Sequence, residues 1–243
     1  MIYQGGCSFL KSPDIFVDTC LSNYFGENVT NINNCKEGAS NTQIFRKALF
    51  SIMKSDFNFV LIGWTQSWRN DKSFVEDVVE YTNIDKLLIE SYKNILDSEL
   101  GYKHIIGNSH DNIHCNLEPQ GTDNVIIYTI ILNQLLKSKN IPHLFITMGQ
   151  LNPDVINMRK GWTELIDSKN YYGDGNISEK MNHSITNLFY EKHISENHGI
   201  PKFGSGSLMS SGYVIDNTPH LNFNAAKKLA ELLQKYITEN NII

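Results

Sequence analysis

Cysteine, proline and tryptophan are scarce in this chain, at four, six and three of 243 residues. Cys7, Cys20, Cys35 and Cys115 show no CxxC spacing. A disulfide framework and a zinc ribbon are therefore not expected, and free, buried thiols are. Basic clusters are missing too. Lys and Arg number 21 against 26 Asp and Glu, for a formal charge of −5, and the longest basic runs are pairs such as Arg159-Lys160 and Lys227-Lys228. Neutralising phosphates takes clustered cations, so no nucleic-acid partner is expected. No stretch supplies the ~18 consecutive apolar residues of a spanning helix. Val125 to Leu136 comes nearest, but Tyr128, Thr129, Asn133 and Gln134 interrupt it; it reads as a buried helix, and no membrane partner is expected. The first residues lack a basic segment followed by an apolar one, so no secretory signal is expected. Neither GxGxxG nor GxxxxGK[ST] follows the first apolar stretch, which disfavours nucleotide binding.

What is present supports a sizeable core: 41% of residues are hydrophobic and 19% charged, outside the range of disordered chains. Short apolar runs alternate with helical patterns, the mark of a parallel sheet wrapped by helices. Ile2-Tyr3-Gln4 predicts a first strand ending at Gly5-Gly6, followed by a helix over 16–25 and a second strand over 29–32. Ile44, Ala48, Leu49 and Ile52 predict a helix over 41–54, with Ser40 and Asn41 as capping residues. Phe57 to Gly63 is nearly continuous and β-rich, as buried parallel strands are. Two helices over 74–81 and 84–96, a polar loop over 101–119, a helix over 122–139 and a core strand over 142–148 follow. Residues 150–215 read as an elaborated region of short pieces, with His183 among solvent-facing residues. Asn222 then caps a helix to Thr238 with Ala226, Leu229, Leu233 and Ile237 on one face. No repeat or linker divides the chain, so 1–243 is read as one domain.

Ligand sites in such sheets lie at the carboxyl ends of strands. Three strand ends stand out: Gly6-Cys7-Ser8-Phe9, Gly38-Ala39-Ser40-Asn41 and Gly63-Trp64-Thr65; Asp216-Asn217-Thr218-Pro219-His220 precedes the last helix. Taken in this order, the four blocks resemble those of the SGNH hydrolases, the GDSL esterase group. They are similar in particular to the Gly-Cys-Ser-Phe and Gly-Ala-Ser-Asn variants of SGNH-like proteins encoded by bacteriophages. The resemblance covers nearly the whole chain. It implies a three-layer, flavodoxin-like α/β fold with helices on both faces of a parallel sheet. It also implies a catalytic Ser8, with His220 as base and Asp216 as the acid orienting it. Gly38, Thr65 and Asn41 fall at oxyanion or binding positions, and Trp64, Trp68 and Arg69 at a substrate rim. The chemistry is coherent, because a serine hydroxyl is a poor nucleophile until an imidazole takes its proton. Backbone N–H groups of Ser8 and Gly38 can face a developing oxyanion.

The sequence departs from the family pattern at three places. Cys7 replaces an Asp that is not the nucleophile, Thr65 replaces an Asn that donates to the oxyanion, and Asn217 stands where the acid is usual, with Asp216 one residue further away. Structural readings stand beside the functional ones. Ser8 also suits a turn, His220 a backbone-bonded residue at a helix start, Cys7 sheet packing, Gly38 turn geometry, and Trp64 with Trp68 plain core packing. His110, His114 and Cys115 lie close together but lack a fourth ligand at matching spacing, so neither a metal nor a cofactor is expected. Two function classes result. One is an esterase acting on a small-molecule or glycan ester, with an O-acetylated carbohydrate implied by the family alone. The other is a weakly active or inactive glycan-binding or virion module. The expected setting is cytoplasmic or virion-associated, with virion or homo-oligomer association in the second class.

Overall fold

Phe59–Trp64 (β3) is buried at every position, and its unbroken apolar run reflects a place at the centre of a sheet covered on both faces. In the computed structural model of the chain, which describes residues 1–6, 21–26, 30–35, 39–65, 67, 110–149, 151–185, 188–189 and 223–243, β3 pairs in parallel with Ile2–Gly5 (β1) on one side and His143–Thr147 (β4) on the other. Asn31–Asn33 (β2) pairs in parallel with the outer side of β1. The strand order is β2-β1-β3-β4. A single parallel bridge from Phe145 to Tyr171, with the Tyr172 N–H donating to the Phe145 carbonyl at 2.9 Å, adds one further rung beyond β4.

Alternation along the strands divides the core in two. Ile2, Phe59, Leu61, Leu144 and Ile146 face Ala225, Leu229, Leu233 and Ile237 of the last helix, α7 (Phe223–Glu239). Tyr3, Val60, Ile62, Trp64 and Phe145 face the other way, against α2 (Asn41–Lys54) and α3 (His110–Ser138). The short helix α1 (Ser22–Phe25) joins the α7 layer through Tyr24 and Phe25. The result is the expected three-layer α/β arrangement.

The helix ends follow from local chemistry. Ser40 caps α2 by accepting from the Gln43 N–H at 3.1 Å. Buried Thr122, Val125, Ile126, Thr129, Leu132, Asn133 and Leu136 give α3 one inward stripe at helical spacing. It stops at Asn140, whose φ of 54° lets Ile141 N–H reach Leu136 O at 2.9 Å and Asn140 N–H reach Lys137 O at 3.0 Å. Asn241 (φ 48°) ends α7 through the same pair of bonds, to Ile237 and Thr238. Between β4 and α7 lie α4 (Pro153–Met158), α5 (Lys160–Thr163), a 3-10 turn at Ser168–Asn170 and α6 (Ile177–Asn182). Asn152 and Asn176 cap α4 and α6 through their side chains.

Two expectations need correction. The second strand is three residues at 31–33 rather than 29–32. The stretch expected as a loop to 119 is helical from His110, with Pro119 inside the helix. Gly121, two residues after that proline, is a packing residue. A Cβ there would lie 1.7 Å from the Ser67 carbonyl oxygen, so the helix can approach the segment after β3 only as glycine. The helices expected over 74–81 and 84–96 lie outside the described residues.

Candidate active site

All the described strands are parallel, so their carboxyl ends share one edge, and β1 sits between β2 and β3. Connections leave β1 toward β2 on one side and return to β3 on the other. Between β1 and β3 the strand order reverses, which is where crevices open in sheets of this class. Gly5, paired with Ile62, ends β1 at that point. A Cβ on Gly5 would lie 2.9 Å from the Tyr3 ring, so the strand end is closely packed. The segment carrying Ser8 continues from here in sequence. Ser8, Gly38, Trp68, Arg69, Asp216 and His220 lie outside the described residues, as do Cys7 and Asn217. The described part of the site is therefore its β3 side, with Asn41, Trp64, Thr65 and Ser67.

Asn41 reaches from the first turn of α2 to the segment just past β3. Its side-chain NH2 donates to the Thr65 carbonyl at 3.1 Å, and its side-chain oxygen accepts the Thr65 N–H at 2.8 Å. A carboxamide has the donor and acceptor spacing of a peptide group, so Asn41 acts as one more rung of the ladder after β3 ends. All of these groups are buried, and leaving one backbone group unpaired there would cost about 1–3 kcal/mol. One residue back, the Trp64 carbonyl accepts from Met148 N–H at 2.8 Å and Gly149 N–H at 3.3 Å. Gly121 abuts the Ser67 carbonyl from the α3 side. The main chain at Trp64, Thr65 and Ser67 is thus met by β4, α2 and α3 in turn.

The side chains on this held segment are less well provided for. Thr65 Oγ1, Ser67 Oγ and Trp64 Nε1 are buried with no hydrogen-bond partner among the described residues. Buried polar groups are normally paired, and an unpaired one calls for an explanation, a ligand or a water among them. Alternation along β3 puts position 65 on the face of Leu61, the face against which α7 packs. Trp64, expected at a substrate rim, is fully buried on the opposite face, stacked on Phe145 at 6.4 Å and 6°. Strand periodicity accounts for this: residue 64 shares its face with Ile62 and Val60, under α2 and α3.

Elsewhere, His143 was missed by sequence reasoning. It is buried at the opposite, amino end of β4, with Nδ1 2.8 Å from the Ile141 carbonyl and Nε2 3.1 Å from the side chains of both Asn133 and Asn170. Burial pushes its pKa down to about 4, against the opposing pull of the Ile141 carbonyl. The proton sits on Nδ1, the ring is neutral at pH 7, and its role is structural. A separate cleft of about 360 Å³ lies between Tyr172, Asp174, His183 and the Lys235, Tyr236 and Glu239 side of α7. His183, expected to face solvent, is half-buried there, edge-on to Tyr172 at 5.9 Å. Among the described residues no group of three or more His, Cys, Asp or Glu side chains could hold a metal ion. None of the described helices is long and apolar enough to cross a membrane.

No family model and no curated protein matches the chain. Among solved structures it is similar to an acetyl xylan esterase, AlAXEase, at 11% identity and a TM-score of 0.47, over 97% of this chain and 98% of that one. It is also similar to a putative acylhydrolase from Bacteroides fragilis NCTC 9343, at 13% identity and a TM-score of 0.40, over 100% of this chain and 88% of that one. Likenesses this distant do not carry the neighbours' activities over to this chain.

Proposed function

We propose that the chain is a serine hydrolase that cleaves an ester, with Ser8 as nucleophile, His220 as base and Asp216 orienting the imidazole. The observation that carries this reading is the strand order. With β1 between β2 and β3, three of the four sequence blocks follow strands whose carboxyl ends lie side by side. The fourth block precedes α7, which packs on the sheet face that residue 65 shares. The unengaged, buried Thr65 hydroxyl supports a donor kept for a substrate oxygen.

In the proposed reaction, Ser8 Oγ attacks the ester carbonyl carbon while His220 takes its proton. The carbonyl π electrons move onto oxygen, where the N–H groups of Ser8 and Gly38 and the Thr65 hydroxyl donate to it. Each such donor is worth ~3 kcal/mol in the transition state. Collapse expels the alcohol, which receives the proton from His220, and leaves an acyl-Ser8. Water, deprotonated by His220, then attacks the acyl carbon, and collapse releases the acid and restores the Ser8 hydroxyl. An O-acetyl group on a carbohydrate is the substrate class that the family resemblance implies.

The Ser8→Ala variant should lose turnover of p-nitrophenyl acetate while keeping the wild-type circular dichroism spectrum; retained turnover would remove Ser8 as the nucleophile. Thr65 and Asn217, standing where the family carries Asn and Asp, favour one alternative, a glycan-binding or virion module with little activity. A fluorophosphonate probe separates the two, since it labels Ser8 in an enzyme and passes over a binder.

A further inference from the structure

Hydroxyl donors are poor oxyanion ligands when they are free to rotate and the backbone beneath them is free to shift. Thr65 reaches less far than the asparagine it replaces, so its value depends on how firmly its main chain is placed. That main chain carries a two-point grip from one side chain: Asn41 binds both the N–H and the carbonyl of Thr65, at 2.8 and 3.1 Å. The grip is buried at both ends, and two residues on, the Ser67 carbonyl is backed by the glycine of α3. Meanwhile the Thr65 hydroxyl itself is engaged by no described group. A side chain that grips both the N–H and the carbonyl of one residue, next to a buried hydroxyl left open, is arranged to set the position of that hydroxyl.

We infer that Asn41 is a positioning residue for the reaction, acting through Thr65 and not by contact with the substrate. The inference rests on the hydrolase reading and adds to it a residue whose effect must pass through one neighbour. Displacing a catalytic donor by about 1 Å can cost on the order of 10²-fold in rate.

The test is a double-mutant cycle on p-nitrophenyl acetate, run after fluorophosphonate labelling of the wild-type chain. Asn41→Ala should lower kcat by about 30- to 100-fold with KM within about twofold, because only the transition state uses the donor. In the Thr65→Val background the same substitution should cost less than about threefold more, since the donor it positions is already gone. Asn41→Asp, which keeps the acceptor for the Thr65 N–H, should fall between wild type and Asn41→Ala. A folded Asn41→Ala with wild-type kcat overturns the inference, and so does an equal loss in both backgrounds. Failure of both Asn41 variants to fold marks a purely structural grip and overturns it as well. A wild-type chain that neither turns over the ester nor takes the probe at Ser8 overturns the hydrolase reading itself, a result distinct from the variant outcomes.

Discussion

The His143 ring and the Thr65 hydroxyl, buried at opposite ends of the sheet, are treated in opposite ways. At the amino end of β4, His143 is wrapped by Ile141, Asn133 and Asn170 and makes contacts with all three. At the carboxyl end of β3, the backbone of Thr65 is fully engaged by Asn41, while the hydroxyls of Thr65 and Ser67 meet nothing described. In the first cluster the ring is engaged at both nitrogens and held neutral by burial, although Asn133 Nδ2 has no partner among the described residues. The second combines a fixed backbone with open side chains. An engaged ring helps hold a fold together; open groups on a rigid support are what a binding site needs before its ligand arrives.

Acid should break the His143 cluster first. Unfolded, His143 takes a proton near its ordinary value of 6.5; folded, it resists down to about 4. Its contribution to stability is therefore complete above pH 6.5 and lost as pH falls toward 4, amounting to about 3 kcal/mol at pH 4. Denaturant titrations at pH 7 and pH 4 should show that loss, and His143→Gln should remove it from the difference; an unchanged pH dependence in the variant would contradict the assignment. On the open side, Gly121→Ala sharpens the contrast. Alanine in a helix interior normally gains about 1 kcal/mol over glycine, but here the added carbon would meet a backbone oxygen at 1.7 Å. The clash wins, and a net loss of about 2–3 kcal/mol is expected from chemical denaturation.

Thr65→Val should behave in the opposite sense. Removing a buried, unpaired hydroxyl should raise stability by about 1 kcal/mol while lowering kcat, a trade expected of a functional group and not of a packing one. A variant both less stable and fully active would show that the hydroxyl belongs to the fold. The smallest effect is expected at the Asp123–Arg159 pair, bidentate at 2.8 and 2.9 Å but partly exposed. Arg159 holds the Asp123 carboxyl below its usual range. Arg159→Gln should bring that titration back up, as followed by NMR, with little change in thermal stability.

Most of the frame was legible because it is written in local chemistry. Ser40 and the Ile44, Ala48, Ile52 spacing set α2, the unbroken run before Gly63 placed β3 at the centre, and Ala226 to Ile237 marked α7. What stayed hidden depended on distant partners. The need for glycine at 121 shows only once Ser67 is placed against it. Tyr171 carries no strand pattern, and it joins β4 through a single rung. Trp64 sits in a strand-end motif, where sequence order favours a rim, but alternation turns it into the core. At the site, the types Asn41 and Thr65 were readable, but their two-point contact spans 24 positions and appears only once α2 and β3 are packed.

The short outer rungs of the sheet carry one more consequence. Among the described residues, one border is a three-residue strand with asparagine at both ends, and the other is a lone bridge at Tyr171. Neither offers a foreign chain more than a few backbone groups to bind. Even with a strongly apolar middle, the described part of the folded sheet gives little template for adding strands from another molecule.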